Sequence, residues 1–417
     1  MSVIQVQGLQ SLHGEIRIQG SKNAVLPLMA AALLHNGTIV ITNVPRIQDV
    51  FCMLGILESL GCYCRLEGHA LVIDTRNLSS SQVPDIEGKQ MRSSVMLLGS
   101  LLGRLHEVET CYPGGCSIGR RPIDLHLSAL GQMGADIRPE GERIRVSAGQ
   151  LQGADIHLSF PSVGATENIL MAAAAASGTT RVYGAAREPE IEVLCRFLEA
   201  MGTDIEGIGS SLLVVHGKRP LRDVEFAVPG DRIVAGTYLG ALMAAGGDIA
   251  LSGVPLEHMG GTLAAARKMG CEVEGHGERI RARMKGHPLP VALCTGPYPE
   301  FPTDLQSVML AVASVAKGVS RIRENVFEGR FATAEELRKM GADISIEEGT
   351  ALVTGGKPLA GSEVWARDLR GGAALVVAGL AAEGESHIHG CSYISRGYED
   401  ISRDLAALGA EISVKEG

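Results

Sequence analysis

The stretch from residue 112 to residue 126 combines a cysteine with glycines and arginines and could carry out chemistry. It reads Tyr-Pro-Gly-Gly-Cys-Ser-Ile-Gly-Arg-Arg-Pro-Ile-Asp-Leu-His. The glycines on both sides of Cys116 permit backbone conformations that other residues resist, so we expect a mobile surface loop. Arg120 and Arg121, with a helix expected to start near Pro122, favour the thiolate over the thiol. The pattern predicts that Cys116 is chemically reactive.

A cysteine hydrolase is an alternative interpretation of the same stretch. Asp124 and His126 lie close to Cys116 in the sequence, and a Cys–His–Asp hydrolase uses these three residue types. A base on the helix that follows the loop, however, is expected to point away from it. The hydrolase therefore stays a rival interpretation.

Charged and polar residues also recur at a regular interval, each time where a helix is predicted to begin. The six groups are Lys22-Asn23, Arg92-Ser93, Ser162-Val163-Gly164, Asp231-Arg232, Asp304 and Asp368-Leu369-Arg370. Helix N-termini carry unpaired N–H groups and a partial positive charge, which suit phosphates and carboxylates. Ser162, Asp231 and Asp304 could simply be N-caps. Lysine and arginine oppose the helix dipole, so their recurrence favours anion binding over capping alone.

A second pattern, Leu or Met followed by glycine, divides the chain into six repeats of similar length. The glycines are Gly61, Gly134, Gly202, Gly270, Gly341 and Gly409. Each follows a helical pattern and precedes an alternating strand, so each is expected to end a helix in the left-handed conformation. An apolar helix of small residues, such as residues 24–34, precedes this pair and is expected to be buried. Each repeat is therefore predicted to be strand, helix, strand, helix, strand, strand.

Repeats of this mixed kind fit two compact α/β domains of three repeats each better than a solenoid. The sequence Val228-Pro229-Gly230 predicts a turn near the junction of the third and fourth repeats. We therefore expect a first domain over residues 21–229, which includes the cysteine loop. The second domain is expected to comprise residues 1–20 and 230–417, with the active site in the cleft between the two.

Composition excludes several classes of protein. Hydrophobic residues make up 45% and charged residues 20% of the 417 residues, which is typical of a globular protein rather than a disordered one. The net charge of -9 argues against binding to nucleic acid, whose affinity comes mainly from lysine and arginine. The N-terminus lacks the pattern of a signal peptide, and the longest apolar runs span only about half a membrane. We expect neither nucleic acid nor a membrane as a partner.

The nine cysteines are scattered and contain no CxxC pair. This pattern fits a reducing cytoplasm without a disulfide framework. Cys62 with Cys64, and His387 with His389, could be metal ligands, but alternation along a strand explains the spacing more simply. We therefore expect a cytoplasmic protein that uses no metal and no organic cofactor.

These residues, with further phrases along the chain, resemble the enolpyruvyl transferase family. The matching phrases are Gly20-Ser-Lys-Asn-Ala24, Pro113-Gly-Gly-Cys116, Arg121-Pro-Ile-Asp-Leu-His126, Ser162-Val-Gly-Ala-Thr166, Ala186-Arg-Glu-Pro-Glu190, Pro302-Thr-Asp304, Val326-Phe-Glu328, Asp368-Leu-Arg370 and Arg396-Gly-Tyr398. They keep the family's order and span nearly the whole chain. The resemblance implies an inside-out α/β barrel of two domains, each with three βαβαββ units. This fold agrees with the repeat count.

The resemblance also implies the reaction and the residues that perform it. The expected reaction moves the enolpyruvyl group of phosphoenolpyruvate to the 3-hydroxyl of UDP-N-acetylglucosamine and releases phosphate, at the first committed step of peptidoglycan synthesis. The residues implied for phosphoenolpyruvate are Lys22, Arg92, Arg121, Arg370 and Arg396. Those implied for UDP-N-acetylglucosamine are Asn23, Arg92, Arg121, Asp124, Ser162, Val163, Gly164, Asp304 and Val326.

Four of these positions are implied to be catalytic. Cys116 would protonate the methylene carbon and could form a covalent adduct with the three-carbon unit. Asp304 would act as the base for the sugar 3-hydroxyl or would orient that hydroxyl. Lys22 and Arg396 would hold the charged groups of phosphoenolpyruvate. If Asp304 were only an N-cap, its loss would cost about 1 kcal/mol of stability.

Some features differ from the family, and other functions stay open. Gln48 and Phe160 occupy positions where some members have lysines, and Arg120 is an additional charge. The sister reaction, with shikimate 3-phosphate as the acceptor, is the nearest rival. A catalytically silent paralogue that binds UDP-sugars is another, although Cys116 and Asp304 are both present. RNA 3′-phosphate cyclases share a related repeat, but the acidic composition argues against them.

Overall fold

The computed structural model describes residues 2–84, 95–112 and 122–415. The predictions for Arg92, Cys116, Arg120 and Arg121 therefore lie outside the described residues. The chain divides into two compact units. The first unit comprises residues 20–84, 95–112 and 122–228, and the second comprises residues 2–19 and 229–415.

Thirteen α-helices lie within the described residues. The first unit contains α1 (Lys22–Ala32), α2 (Gln48–Ser59), α3 (Leu97–Leu105), α4 (Asp124–Gln132), α5 (Val163–Ala175) and α6 (Pro189–Met201). The second unit contains α7 (Arg232–Ala245), α8 (Gly260–Lys268), α9 (Gln306–Ser314), α10 (Thr333–Lys339), α11 (Leu369–Ala381), α12 (Cys391–Ile394) and α13 (Ile401–Ala407). Among the helices described, none has the length and apolar character needed to span a bilayer.

Strands alternate with these helices along the whole chain. The second unit begins with β1 (Val3–Gln7) and β2 (Leu12–Arg17). The first unit contains β3 (Thr38–Thr42), β4 (Tyr63–Glu67), β5 (Ala70–Asp74), β6 (Glu107–Cys111), β7 (Asp136–Glu140), β8 (Arg143–Ser147), β9 (Asp155–His157), β10 (Thr179–Tyr183), β11 (Asp204–Glu206), β12 (Leu212–His216) and β13 (Val224–Ala227). The second unit continues with β14 (Gly247–Ser252), β15 (Glu272–His276), β16 (Arg279–Met284), β17 (Ala292–Cys294), β18 (Val319–Arg323), β19 (Asp343–Glu347), β20 (Thr350–Thr354), β21 (Glu363–Trp365), β22 (Glu385–His389) and β23 (Ile412–Lys415).

The described strands form six sheets, three in each unit, with one strand order repeated throughout. The sheets of the first unit are β13-β3-β5-β4, β9-β10-β12-β11 and β6-β8-β7, and those of the second are β2-β14-β16-β15, β17-β18-β20-β19 and β21-β22-β1-β23. In every four-stranded sheet the first two strands are parallel and the other neighbours are antiparallel. Five complete βαβαββ units are thus present among the described residues, and in the sixth an isolated parallel bridge between Gln82 and Glu109 takes the place of the first strand.

The first helix of a repeat lies in the interior of its unit. Helices α1, α5, α7 and α11 bury almost every residue after their first turn. The sheets bury alternate residues, as in the pattern of β10 and β18, and expose the others. Each unit therefore has helices inside and sheets outside, which is the predicted inside-out α/β barrel.

The repeat glycines end their helices as the sequence predicts. All six have φ between 90° and 119°, a left-handed conformation that costs glycine little because it lacks a Cβ. A strand follows each of them. The segment before residue 20 completes two sheets of the second unit, because β1 pairs with β22 and β23 while β2 pairs with β14.

Two glycines in corresponding positions set where α1 and α7 begin. A Cβ added to Gly20 would lie 1.8 Å from the carbonyl oxygen of Asn43, and one added to Gly230 would lie 1.9 Å from that of Gly253. Each glycine precedes the N-cap of its helix, Ser21 or Asp231. These close contacts hold the start of α1 against the loop after β3 and the start of α7 against the loop after β14.

We expect Gly230→Ala to lower the free energy of unfolding by about 1–3 kcal/mol, since backbone must move to admit the methyl group. Gly55→Ala is the matched control: Gly55 lies within α2, and its Cβ would meet nothing within 4 Å. Alanine is the better helix former there, so the control should be neutral or stabilising. Urea unfolding midpoints measure both changes. Equal midpoints for Gly230→Ala and the wild type would contradict the role of the close approach.

Candidate active site

Asp304 lies at the centre of a cluster of charges in the second unit. It belongs to a single 3-10 turn, Thr303–Leu305, directly before α9. Its Oδ1 accepts a hydrogen bond from Nη2 of Arg330 at 2.9 Å, and its Oδ2 accepts one from Nη2 of Arg370 at 3.0 Å. The arginine side chains are only 4% and 5% exposed, while that of Asp304 is 24% exposed. The carboxylate is thus the accessible part of an otherwise buried ion cluster.

The two arginines control the ionisation of Asp304. Burial raises the pKa of this carboxyl, but the positive charges of Arg370 and Arg330 and their hydrogen bonds outweigh burial and hold the pKa well below its usual range. Asp304 therefore stays ionised throughout the neutral pH range. A carboxylate of this kind is a good hydrogen-bond acceptor.

The same cluster contains buried donors with no hydrogen-bond partner among the described residues. They are Nε and Nη1 of Arg330, Nη1 of Arg370 and Nε2 of Gln306. Gln306 is the first residue of α9, and Arg330 precedes α10. Buried donors left unsatisfied cost free energy, and those on arginine carry positive charge.

Tyr398 fixes the loop that carries Arg396 to this cluster. The ring of Tyr398 lies 5.9 Å from the guanidinium carbon of Arg370, and its hydroxyl lies 2.8 Å from Oγ1 of Thr237. Gln19 holds the neighbouring backbone, because its Nε2 donates to the oxygen of Gly397 and its Oε1 accepts from the nitrogen of Glu399. Arg396 therefore extends from a loop that is anchored at the next two residues.

Glu324 connects two of the predicted sugar contacts. This buried carboxylate accepts hydrogen bonds from Oγ1 of Thr303 at 2.9 and 3.0 Å, from the nitrogen of Val326 at 2.8 Å and from that of Phe327 at 3.0 Å. Thr303 precedes Asp304 in the chain. The structure thus joins the side chain of Thr303, the residue before Asp304, and the backbone of Val326 through one carboxylate, which sequence reasoning missed.

In the first unit, Lys22 begins α1 beside a buried acid. Its Nζ lies 2.8 Å from Oδ2 of Asp49 in α2. Ser21 is the N-cap of α1 and accepts a hydrogen bond from the nitrogen of Ala24. Asp49 offsets the unfavourable charge of Lys22 at the positive end of a helix. Asn23 follows as the second residue of α1, and the sequence analysis did not identify Asp49.

The predicted nucleotide residues of the first unit lie at the starts of α4 and α5. Asp124 is the first residue of α4, and Val163 and Gly164 begin α5 behind the N-cap Ser162. A Cβ on Gly164 would lie 3.0 Å from Cε1 of His126, so the two helix starts are close together. The ring nitrogen Nδ1 of His126 lies 2.8 Å from Nδ2 of Asn168. The hydrolase interpretation would need a carboxylate at that nitrogen.

Capping explains part of the recurring polar pattern. The side chains of Ser162, Asp231 and Asp368 accept hydrogen bonds from N–H groups in the first turns of their helices. Asp304 instead directs both carboxylate oxygens to arginines. Of the predicted site residues, the structure brings Asp304 and Arg370 into direct contact.

The eight cysteines among the described residues are all free thiols. Burial raises the pKa of Cys62, Cys64 and Cys195 to about 12, so these thiols stay protonated at neutral pH. Within the same described residues, no group of three or more histidine, cysteine or acidic side chains could hold a metal ion.

Residues 6–405 match the family model described as EPSP synthase (3-phosphoshikimate 1-carboxyvinyltransferase). The chain belongs to the enolpyruvyl transferase family. The UDP-N-acetylglucosamine 1-carboxyvinyltransferase 2 of Caldanaerobacter subterraneus subsp. tengcongensis is 42% identical over 413 residues, which cover 99% of each chain. The UDP-N-acetylglucosamine 1-carboxyvinyltransferase of Corynebacterium jeikeium is 43% identical over 98% of this chain and 97% of its own.

Solved structures of enolpyruvyl transferases share the fold. The enolpyruvyl transferase NikO from Streptomyces tendae superposes with a TM-score of 0.91 at 24% identity, covering 100% of this chain and 99% of its own. An EPSP synthase from Acinetobacter baumannii superposes with a TM-score of 0.77 at 21% identity and covers 100% of both chains. At these identities the likeness establishes the two-domain inside-out barrel.

We expect Asp304→Ala to destabilise the enolpyruvyl transferase by about 3–5 kcal/mol, because it leaves two buried arginines facing each other unpaired. This cost exceeds that of a lost N-cap. The difference from the wild type should persist as the pH falls from 7 to about 4, the pKa of an unfolded aspartate, and should narrow only below it. Urea unfolding at several pH values measures it.

Asp248→Ala is the matched control for Asp304→Ala. Asp248 also accepts hydrogen bonds from two arginines, Arg281 and Arg283, but these side chains are 69% and 43% exposed. Water can solvate them once the carboxylate is gone, so the loss of stability should be far smaller. If the two variants lost the same unfolding free energy, burial of the arginines at Asp304 would not add to the cost of removing the carboxylate.

Proposed function

We propose that this chain transfers the enolpyruvyl group of phosphoenolpyruvate to the 3-hydroxyl of UDP-N-acetylglucosamine and releases phosphate. The observation that carries the proposal is the partly exposed carboxylate of Asp304, held ionised by two buried arginines, Arg330 and Arg370, that leave the cluster with a net positive charge. An acceptor for a hydroxyl and positive groups for an anion are what this reaction requires. Full-length relatives at 42–43% identity bear the name of this activity.

We assign phosphoenolpyruvate to the positive side chains at the helix starts and in the loop after α12. These residues are Lys22, Arg92, Arg121, Arg370 and Arg396. The direct contact between Arg370 and the partly exposed carboxylate of Asp304 supports the place of Arg370 in this set. The phosphate and the carboxylate of this small substrate need several fixed positive charges nearby, because the net charge of the protein is -9 and would otherwise repel an anion.

We assign UDP-N-acetylglucosamine to polar residues that lie mostly at helix starts and loops. These residues are Asn23, Arg92, Arg121, Asp124, Ser162, Val163, Gly164, Asp304 and Val326. The N–H groups at the start of α5 suit the diphosphate. Glu324 supports the assignment of Asp304 and Val326 to the same sugar, since it accepts hydrogen bonds from the hydroxyl of Thr303, beside Asp304, and from the nitrogen of Val326.

The proposed reaction is an addition followed by an elimination. Cys116 donates a proton to the methylene carbon, using the electron pair of the carbon–carbon double bond and leaving the adjacent carbon electrophilic. The sugar 3-oxygen, oriented by Asp304, adds to that carbon. The bond between that carbon and the phosphate oxygen then breaks, and the departing phosphate takes up the proton of the sugar hydroxyl. The thiolate of Cys116 takes back a proton from the methyl group, which restores the double bond. The atoms balance without a metal or an organic cofactor.

The cellular setting follows from this reaction. Its product is the precursor that peptidoglycan synthesis requires, so we place the chain in cell wall biogenesis in the cytoplasm. Cell shape, cell division and the cell cycle would then depend on it. An adduct of Cys116 with the three-carbon unit is also part of the proposal.

The sister reaction is the second candidate, because the description of the matching family model names 3-phosphoshikimate as the acceptor. We expect phosphate release from phosphoenolpyruvate with UDP-N-acetylglucosamine and none with shikimate 3-phosphate. Asp304→Asn, which keeps the shape but loses the charge, should lower turnover by about 10²-fold or more through loss of orientation. A malachite green assay measures the phosphate.

Each outcome of that assay has one meaning. Release with shikimate 3-phosphate alone would move the chain to the sister activity. Release with neither acceptor, from protein whose circular dichroism shows it folded, would favour a silent paralogue. Full activity of Asp304→Asn would remove the charged carboxylate from the mechanism.

A further inference from the structure

Asn168 connects three helices of the first unit through one buried amide. It lies in α5 and is fully buried. Its Oδ1 accepts a hydrogen bond from the nitrogen of Gly99 in α3 at 2.7 Å. Its Nδ2 lies 2.9 Å from the oxygen of Val95, just before α3, and 2.8 Å from Nδ1 of His126 in α4. The same Nδ2 lies 3.4 Å from the oxygen of Gly164, so the starts of α3, α4 and α5 are all tied to this side chain.

The backbone groups determine which way this amide points. The N–H of Gly99 can only donate, and the carbonyl of Val95 can only accept. The oxygen of Asn168 must therefore face Gly99, and its nitrogen must face Val95 and His126. Because the nitrogen donates, Nδ1 of His126 accepts, and the neutral ring carries its proton on Nε2. That nitrogen lies on the side of the ring next to Gly164.

At Gly99 and at Gly164 these helices approach each other so closely that little room is left for a side chain. A Cβ on Gly99 would lie 2.3 Å from the backbone oxygen of Asn168, and one on Gly164 would lie 3.0 Å from Cε1 of His126. The first N–H groups of a helix have no partner within the helix. Asn168 supplies one for α3 from a neighbouring helix, so the three starts form one rigid arrangement.

We propose that Asn168 is a positioning residue for the nucleotide sugar, which sets the starts of α4 and α5 and the tautomer of His126. The inference rests on the proposed function, because Asp124 in α4 and Ser162 to Gly164 at the start of α5 are the residues assigned to UDP-N-acetylglucosamine. Asn168 itself is buried beneath them and touches no substrate. Its effect is on how well the sugar nucleotide binds rather than on the chemistry at Asp304.

The test is Asn168→Asp, which has nearly the same shape but faces His126 with a carboxylate oxygen. The ring must then place a proton on Nδ1, and the start of α4 shifts. We expect KM for UDP-N-acetylglucosamine to rise by about tenfold or more, while KM for phosphoenolpyruvate and kcat change much less. Ser100→Ala is the matched control, because Ser100 is a buried residue of α3 whose hydroxyl bonds only within that helix among the described residues.

A spectroscopic measurement separates this proposal from the proposed function. In ¹⁵N-labelled wild type, His126 should show the Nε2–H tautomer, and in Asn168→Asp it should show a proton on Nδ1, with no substrate present. Unchanged KM values with active wild type would overturn the positioning role and leave the function intact. Inactive wild type would overturn the function, while the tautomer signal would still report on Asn168.

A variant that fails to fold does not end the test. His126→Ala removes the hydrogen bond from Asn168 to α4 and keeps the hydrogen bonds of Asn168 to Gly99 and Val95. If Asn168→Asp is unfolded by circular dichroism, His126→Ala should still raise KM for UDP-N-acetylglucosamine selectively. Equal changes in both KM values, or none, would show that the cluster serves folding alone.

Discussion

One packing constraint shapes both units: the first helix of a repeat is buried on nearly all sides. A polar group along such a helix needs a partner inside the core, as Asn168 of α5 has, whereas the helix ends can offer polar groups to a ligand. The helices α1, α5, α7 and α11 combine small apolar residues along their length with Ser21, Ser162, Asp231 and Asp368 as N-caps. The residues available for chemistry are therefore collected at the helix starts.

Asp304 shows how a helix start becomes a site. The carboxylate sits before α9 in a 3-10 turn, which leaves both oxygens to face Arg330 and Arg370. Two buried positive charges on one carboxylate leave a net positive charge, and several donors of these arginines remain without a described partner. The cluster therefore stabilises an accessible acceptor and attracts an anion at once. Glu324 and Tyr398 hold the surrounding loops in place.

The sequence predicted most of the fold because its signals are local. A glycine after a helical pattern predicts a helix end, and a run of small apolar residues predicts a buried helix. Each prediction needs only a few neighbouring residues, and the recurrence of both patterns in six repeats strengthened it. The pairing of Asp304 with Arg330 was beyond such reasoning, because Arg330 lies 26 residues further along the chain and falls outside the recurring pattern. Arg370, 66 residues further along, belongs to that pattern, but the pattern did not predict its hydrogen bond to Asp304.

The same limit applies in the first unit. Asn168 bonds Gly99 across 69 residues and His126 across 42, so the amide looked like one polar residue within an apolar helix. Lys22 was identified by its type and place, but Asp49, which pairs with it, gave no signal of its own. The resemblance to a family implied roles for the residues that contact substrates. It implied none for Asn168 and Asp49, which hold those contact residues in position.

The most direct test of this account is the ionisation of Asp304 in the folded protein. Its carboxyl carbon can be followed by ¹³C NMR in aspartate-labelled protein and assigned by its absence in Asp304→Asn. Because Arg370 and Arg330 hold the pKa of this group well below its usual range, we expect no titration between pH 8 and the acid limit of folding. A titration centred between about pH 5 and 8, the range of a general base, would show instead that Asp304 exchanges a proton in the reaction.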